Sequence, residues 1–193
     1  MKLSILIPTL PARYEMFSRL IHHLQSQVRD CKAEQLVEIL HDATPQGQKT
    51  IGEKRNQLME RARGEYIAFI DDDDWVMNTY IESVLKAIKH EPDVVGFTGW
   101  YYVDGAYKKP FIHSIYAGVD SNGNPYYEDD KAYYRCPNHL NPIKRIIANK
   151  FRFPLNNHGE DTDWAMQIYN AKVLNSESTI EGVLYFYKYV SSK

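Results

Sequence analysis

Short apolar runs alternate with amphipathic stripes through the first half of this chain, and that alternation limits the fold more than any other feature. Leu3 to Ile7 is a short apolar run, read as a buried strand. Phe17, Leu20, Ile21, Leu24 and Val28 then share one helical face. LVEIL, Leu36 to Leu40, is a second strand. Ile51, Leu58, Met59 and Ala62 mark a second helix, with Gly64 placed to stop it. Tyr66 to Ile70 is a third strand. Ile81, Val84, Leu85 and Ile88 form a third stripe ahead of Pro92, and Val94 to Phe97 is a fourth strand. Strand, helix, strand, helix is the order of right-handed crossovers, so the expected fold is α/β with a central, mostly parallel sheet flanked by helices.

In such sheets ligands bind beyond the carboxyl ends of the strands. Pro8 and Thr9 follow the first strand, Asp42 the second, and Asp71, Asp72, Asp73 and Asp74 the third. Three strand ends therefore share one rim. Four adjacent carboxylates raise one another's pKa unless a cation neutralises them. Their hard oxygens suit Mn²⁺ or Mg²⁺ with positions left for a phosphate-bearing substrate. Capping of the following helix accounts for one or two of the acids, not for four. A calcium loop of the EF-hand type fails, because Val76 stands where it needs glycine.

A second acidic cluster, HGEDTDW from His158 to Trp164, puts Glu160, Asp161 and Asp163 at the start of a helix. Metal-assisted transfer needs one group for the metal and a separate base for the nucleophile. GEKRNQ, Gly52 to Gln57, opens the second helix with Lys54, Arg55 and Asn56, a setting suited to phosphate. Arg13 follows the first strand. Beyond Gly99 the chain changes character. Tyrosines are dense, Asp104-Gly105 and Ser121 to Pro125 are turn signals, and hairpins or an irregular edge layer are expected. Asn141 to Phe151 and Glu160 to Ala171 read as helices, and Thr179 to Tyr187 as a late strand.

Taken together these segments resemble a family 2 glycosyltransferase of the GT-A fold. ARGEYIAFIDDDDW resembles that family's strand ending in the DxD motif, with Asp71 as the first acid and Asp73 as the second. SILIPTL resembles its first strand, KRN its nucleotide-facing helix, and GED the element carrying its general base. After the second strand the family often has Asp-Asp-Gly-Ser, where this chain has His41-Asp42-Ala43-Thr44. The resemblance implies a single GT-A-like domain over residues 1–193. Residues 1–98 would bind the nucleotide-sugar, and 99–193 would carry the acceptor and the base. It implies Pro8, Thr9, Arg13, Asp42, Lys54, Arg55, Asn56, Asp71 and Asp72 on the nucleotide-sugar, and Asp73 and Asp71 on Mn²⁺ or Mg²⁺ with His158 as a further candidate. Asp161 would be the catalytic base, and Trp100, Tyr134, His139 and Glu160 would lie on the acceptor side. The activity implied is inverting transfer from a UDP-sugar to a hydroxyl of a glycan, a lipid or a modified DNA base.

Composition narrows the class further. A net charge of -2 gives no general field for a polyanion, although Lys131, Arg135, Lys144, Arg145, Lys150 and Arg152 interleave with aromatics in a stretch free of acids. Two cysteines, Cys31 and Cys136, cannot build a disulfide framework, and Pro8 interrupts the apolar N-terminus too early for a signal peptide. A cytoplasmic protein without a membrane anchor is expected. Two rivals remain. Asp72, Asp74 and Val76 fit the D-x-D-x-[TV] pattern of haloacid-dehalogenase-like phosphohydrolases. A binding module on the same scaffold would hold a nucleotide or glycan without turnover.

Overall fold

The computed structural model describes residues 1–191; residues 192 and 193, the last two of the expected domain, lie outside the described residues. β1 (Leu3–Pro8), a short 3-10 turn (Pro11–Arg13), α1 (Tyr14–Asp30), β2 (Val37–Asp42), α2 (Ile51–Arg61) and β3 (Tyr66–Phe69) follow one another as the alternation requires. β1 lies between β2 and β3, parallel to both, with Pro8 level with Asp42 and Leu6 level with Phe69. Every residue of β1 is buried, so the strand reads as a mostly apolar run, its one polar residue, Ser4, donating to Glu38 and accepting from the Gly64 N–H. Leu3, Ile5 and Ile7 pack with Leu20 and Leu24 of α1. Leu6 turns the other way, to Leu58, Met59 and Ala62 of α2. Each such side chain contributes roughly 1.5–3 kcal/mol through burial.

β4 (Trp75–Val76), α3 (Tyr80–Ala87) and β5 (Val94–Val103) come next. The remainder is β6 (Ala106–His113), β7 (Tyr126–Glu128), β8 (Tyr133–Arg135), β9 (Ile143–Lys144), α4 (Arg145–Ala148), α5 (Glu160–Ala171) and β10 (Glu177–Tyr189). The sheet runs β2-β1-β3-β9-β5-β6-β8-β7, and β10 lies parallel to β5 and antiparallel to β4. β5 runs across the division expected at residue 98, so one sheet joins the two halves. The late strand is longer than its apolar core suggested.

Two expectations change. Asn141 to Phe151 is not one helix. Lys144 and Arg145 donate backbone N–H groups to Asp93 and Glu65, so the segment enters the sheet as β9 between β3 and β5 before the single turn of α4. Gly64 does not stop α2, which ends at Arg61 with Ala62 extended. A Cβ at Gly64 would lie 2.5 Å from the Ser4 backbone nitrogen, so glycine there permits close approach to β1. No helix among the described residues is long and apolar enough to cross a membrane.

Candidate functional site

The ends of β1 and β3, the first turns of α2 and α5 and the end of β10 surround a cleft of about 570 Å³. Pro8, Thr9, Arg13, Lys54, Arg55, all four acids from Asp71 to Asp74, His158 and Glu160 line it. Thr50 and Glu53 form a reciprocal cap at the start of α2, which fixes the turn bearing Lys54 and Arg55. Lys54 donates to the carbonyls of Thr9 and Thr44 at 2.6 Å each and is buried, so it ties β1 to the loop after β2. Arg55 is buried too, with Nε on Glu160 at 3.1 Å and Nη2 on Asp71 at 2.9 Å.

The fold separates the four acids. Asp71 meets Arg55, and its Oδ2 lies 3.5 Å from Nε2 of His139. Burial alone would raise its pKa, but the Arg55 charge and then His139 outweigh that and hold the carboxyl well below the ordinary range. Asp72 turns inward to the Thr9 hydroxyl at 2.6 Å and Arg13 at 2.8 Å. Asp74 turns the opposite way, accepting from the Tyr185 hydroxyl and the Lys188 backbone. Burial, then the charge of Asp71, push the Asp74 carboxyl well up. Asp73 remains on the cleft wall, 3.3 Å from Arg13. Much of the cluster's mutual tolerance therefore comes from protein partners, Arg13 and Arg55 among them, beside whatever a metal ion would add. Neither acidic cluster caps a helix by its side chains: α3 and α5 begin at Thr79 and Gly159 without such a bond. The phosphohydrolase pattern fails on the same geometry, since Asp72 and Asp74 are 2% and 3% exposed and engaged in opposite directions.

A second cavity of about 360 Å³ adjoins this cleft, and Tyr187 lines both. Asp161 opens into it together with His139, Asn138, Arg135, His113 and the rings of Tyr101, Phe111, Tyr126 and Tyr133. Consecutive residues of α5 thus face different spaces, Glu160 the cleft and Asp161 the cavity. His139 is 3% exposed, and its Nδ1 stands 3.7 Å from Asp161 Oδ2. Both of its distances to carboxylates lie at or beyond the limit of a hydrogen bond, and neither ring nitrogen has another partner.

Some residues singled out from sequence lie elsewhere. Asp42 is buried below the rim, accepting from Thr44 and Lys49. Asn56 bonds both the N–H and the C=O of Phe153, so its amide secures the loop before α5 instead of facing the cleft. Trp100 packs on Tyr107 and Phe186, and Tyr134 stacks on Tyr127; neither is on the wall of the second cavity. The basic window does not form a strip. Lys144 pairs with Asp93 and Arg152 with Glu60, Arg145 donates to the Gly64 carbonyl, and Arg135 turns into the cavity. Lys49, Asn157, Lys188 and Tyr189 line the cleft and had not been singled out. Only long-range strand pairing brings the end of β10 there.

Among the described residues no three His, Cys, Asp or Glu side chains converge to hold an ion unaided. Mg²⁺ and Mn²⁺ usually take only one or two carboxylates and complete their shell with phosphate and water oxygens. Asp73 and Asp71, with side chains 21% and 23% exposed on the cleft wall, fit that donor set.

The model of glycosyl transferase family 2 matches residues 4–167. Over 45 residues, 23% of this chain and 13% of the relative, the sequence is 49% identical to the putative glycosyltransferase EpsH of Bacillus subtilis (strain 168). Among solved structures, S. aureus TarS 1–349 is similar with a TM-score of 0.65 at 16% identity, covering 97% of this chain and 60% of that one. TarS 1–349 in complex with UDP-GlcNAc gives 0.60 at 16% identity, covering 100% of this chain and 60% of that one. At this identity the likeness is one of fold, the GT-A arrangement of a mostly parallel sheet between helices.

Proposed function

The chain belongs to glycosyl transferase family 2, and on that premise we propose that it moves a sugar from a UDP-sugar to an acceptor hydroxyl with inversion. The observation that carries the proposal is the division of α5: Glu160 is tied through Arg55 to Asp71 at the donor cleft, while Asp161 opens into the adjoining cavity. TarS 1–349, solved with UDP-GlcNAc and with UDP, supports the choice of donor class. The whole of residues 1–193 then acts as one unit: the part before β5 supplies most of the nucleotide cleft, α5 and the end of β10 complete it, and the part from β5 onward supplies the acceptor cavity.

The acceptor hydroxyl lies against Asp161. As its oxygen bonds to the anomeric carbon, its proton passes to the Asp161 carboxylate. The bond from that carbon to the β-phosphate oxygen breaks, and its electron pair leaves with UDP. The transition state has oxocarbenium character, as in glycoside hydrolysis. Mn²⁺ or Mg²⁺ held by Asp73 and Asp71 would supply positive charge to the departing diphosphate. Arg13 and Lys188 bring fixed cationic groups to the same cleft. Pro8 and Thr9 border the nucleotide, and His139 stands between Asp161 and Asp71. Glycan, lipid and modified DNA base all supply the required hydroxyl. Cys31 and Cys136, both unpaired, fit a cytoplasmic setting.

The deciding experiment pairs melting curves with turnover. UDP with Mn²⁺ raises the melting temperature of the wild type. Asp161→Asn keeps that rise and loses turnover of the UDP-sugar by roughly 10²–10⁴-fold. A protein whose melting no UDP-sugar shifts, with Mn²⁺ present, ends the proposal.

A further inference from the structure

The cavity beside Asp161 has a charge pattern that the transfer reaction alone does not explain. Arg13, Arg55, Arg63 and Arg152 each meet a carboxylate; Arg19, Arg29, Arg61, Arg135 and Arg145 meet none among the described residues, and of these Arg135 lines the cavity. Arg135 is half-buried on the cavity wall. Its Nη1 donates to the carbonyls of Tyr127 and Tyr134, each at 2.8 Å, and its guanidinium lies over the rings of Tyr126 and Tyr133 at 5.2 and 5.6 Å. The head group is therefore held in place by carbonyls and ring faces, none of which carries a full negative charge. A guanidinium partly withdrawn from water favours an anion able to take its remaining N–H groups in parallel.

The remaining walls specify the body of that ligand. Tyr101 stacks on Tyr187 with ring centroids 5.5 Å apart and meets Tyr133 edge-on at 5.2 Å. Ring faces in such a layer suit the apolar C–H face of a sugar, with polar groups reached around its rim. His139 adds two buried ring nitrogens without hydrogen-bond partners on the same wall, which hydroxyls of a bound sugar can satisfy. His113, beside it, is held neutral by burial, its pKa lowered to about 3, so Arg135 is the fixed cation of this wall. A volume of about 360 Å³ suits a sugar unit and not a length of polymer.

We infer that the acceptor, on the transferase reading above, is a sugar bearing a carboxylate or phosphate. The anionic group sits on Arg135, the ring on the tyrosines and the reacting hydroxyl on Asp161.

The test titrates methyl glucuronide, glucose 6-phosphate and methyl glucoside, followed by saturation-transfer NMR, into the protein holding UDP and Mn²⁺. At least one of the two anions is expected to bind ten or more times more tightly than methyl glucoside (about 1.4 kcal/mol). Which of them binds more tightly separates carboxylate from phosphate. Arg135→Gln removes the difference and Arg135→Lys keeps part of it. Because Arg135 also anchors two carbonyls, a salt series on the wild type gives a second reading: affinity for the anions falls with ionic strength while that for methyl glucoside holds. Equal binding of charged and neutral sugars, no binding of either anion, or a preference that persists in Arg135→Gln overturns the inference. Failure of UDP to raise the melting temperature refutes the transferase reading instead, and the same titrations without UDP still decide the anion site.

Discussion

Arg55 donates to Asp71 at 2.9 Å from a side chain that is only 4% exposed, which joins the end of β3 to the interior of the molecule. Its other edge meets Glu160 at 3.1 Å, and its guanidinium lies near the rings of Phe69 and Phe153. One buried cation thus holds a carboxylate of the donor cleft and the residue preceding Asp161 in fixed relation.

Removing that cation leaves the buried Glu160 without its counter-charge and Asp71 with only His139 beside it. Arg55→Met is expected to lower stability by about 3–5 kcal/mol, the usual cost of breaking a buried pair from one side. Arg55→Lys restores the charge but not the two-sided geometry, so it recovers part of the stability and little of the turnover. Urea denaturation of both variants measures the first effect, and UDP release the second. Wild-type stability in Arg55→Met would show that the two acids do not depend on it.

The four adjacent acids should respond differently to the same substitution. Asp73→Asn is expected to weaken UDP binding in Mn²⁺ by tenfold or more while leaving the melting temperature nearly unchanged. Asp74 is buried, and its carboxyl is pushed well up by burial and by Asp71. Asp74→Asn keeps the shape and the acceptor for the Lys188 N–H without a buried charge, so it should melt close to wild type. Calorimetric titration of UDP with Mn²⁺ and with chelator compares Asp73→Asn with wild type. Mn²⁺-independent UDP binding by the wild type would remove Asp73 and Asp71 as metal ligands.

The frame of this fold was legible because parallel strands buried on both faces read as mostly apolar runs, as in Leu3 to Ile7. Asp71 and Asp161 could be singled out by residue type and by position after a strand or before a helix. The partition of the acids could not. It depends on Thr9, Arg13 and Tyr185, which are distant in sequence from their carboxylate partners. The choice of Tyr133 over Tyr134 for the cavity wall follows from the phase of β8, only three residues long, with no alternation to read. Asn56 misled because an amide on a helix beside the cleft suits a ligand or a neighbouring backbone equally well, and here Phe153 takes it.

Asp42 gives a pH dependence of defined sign. Burial pushes its carboxyl up, but hydrogen bonds from Thr44 and Lys49 outweigh it and bring the pKa from 3.8 to about 2. The folded state then binds its proton less readily than the unfolded one. The stabilisation is complete above about pH 4 and is lost as pH falls through 2. Asp42→Asn should therefore be less stable than wild type at neutral pH, with the gap closing as the solution is acidified. Urea midpoints between about pH 3 and 7 check this, and a gap constant across that range would contradict it.

Gly52 tests how closely the donor and acceptor elements are coupled. It is the second residue of α2, and a Cβ there would land on the carbonyl oxygen of Pro154. Beside it the Ile51 N–H donates to Asn157 Oδ1 and the Gly52 N–H to the Asn156 carbonyl. The segment from Pro154 to Asn157 therefore lies against the first turn of α2, and two residues separate it from Glu160 and Asp161. Gly52→Ala must push that segment away, at a cost of about 1–3 kcal/mol or more. Because Asp161 moves with it, turnover should fall further than UDP affinity, and a displacement near 1 Å can cost about 10²-fold. Turnover and UDP titration at a temperature where both proteins are folded separate the two effects. Equal losses in both would mean that the loop serves the nucleotide alone, and no loss would mean that the close approach at Gly52 is not required.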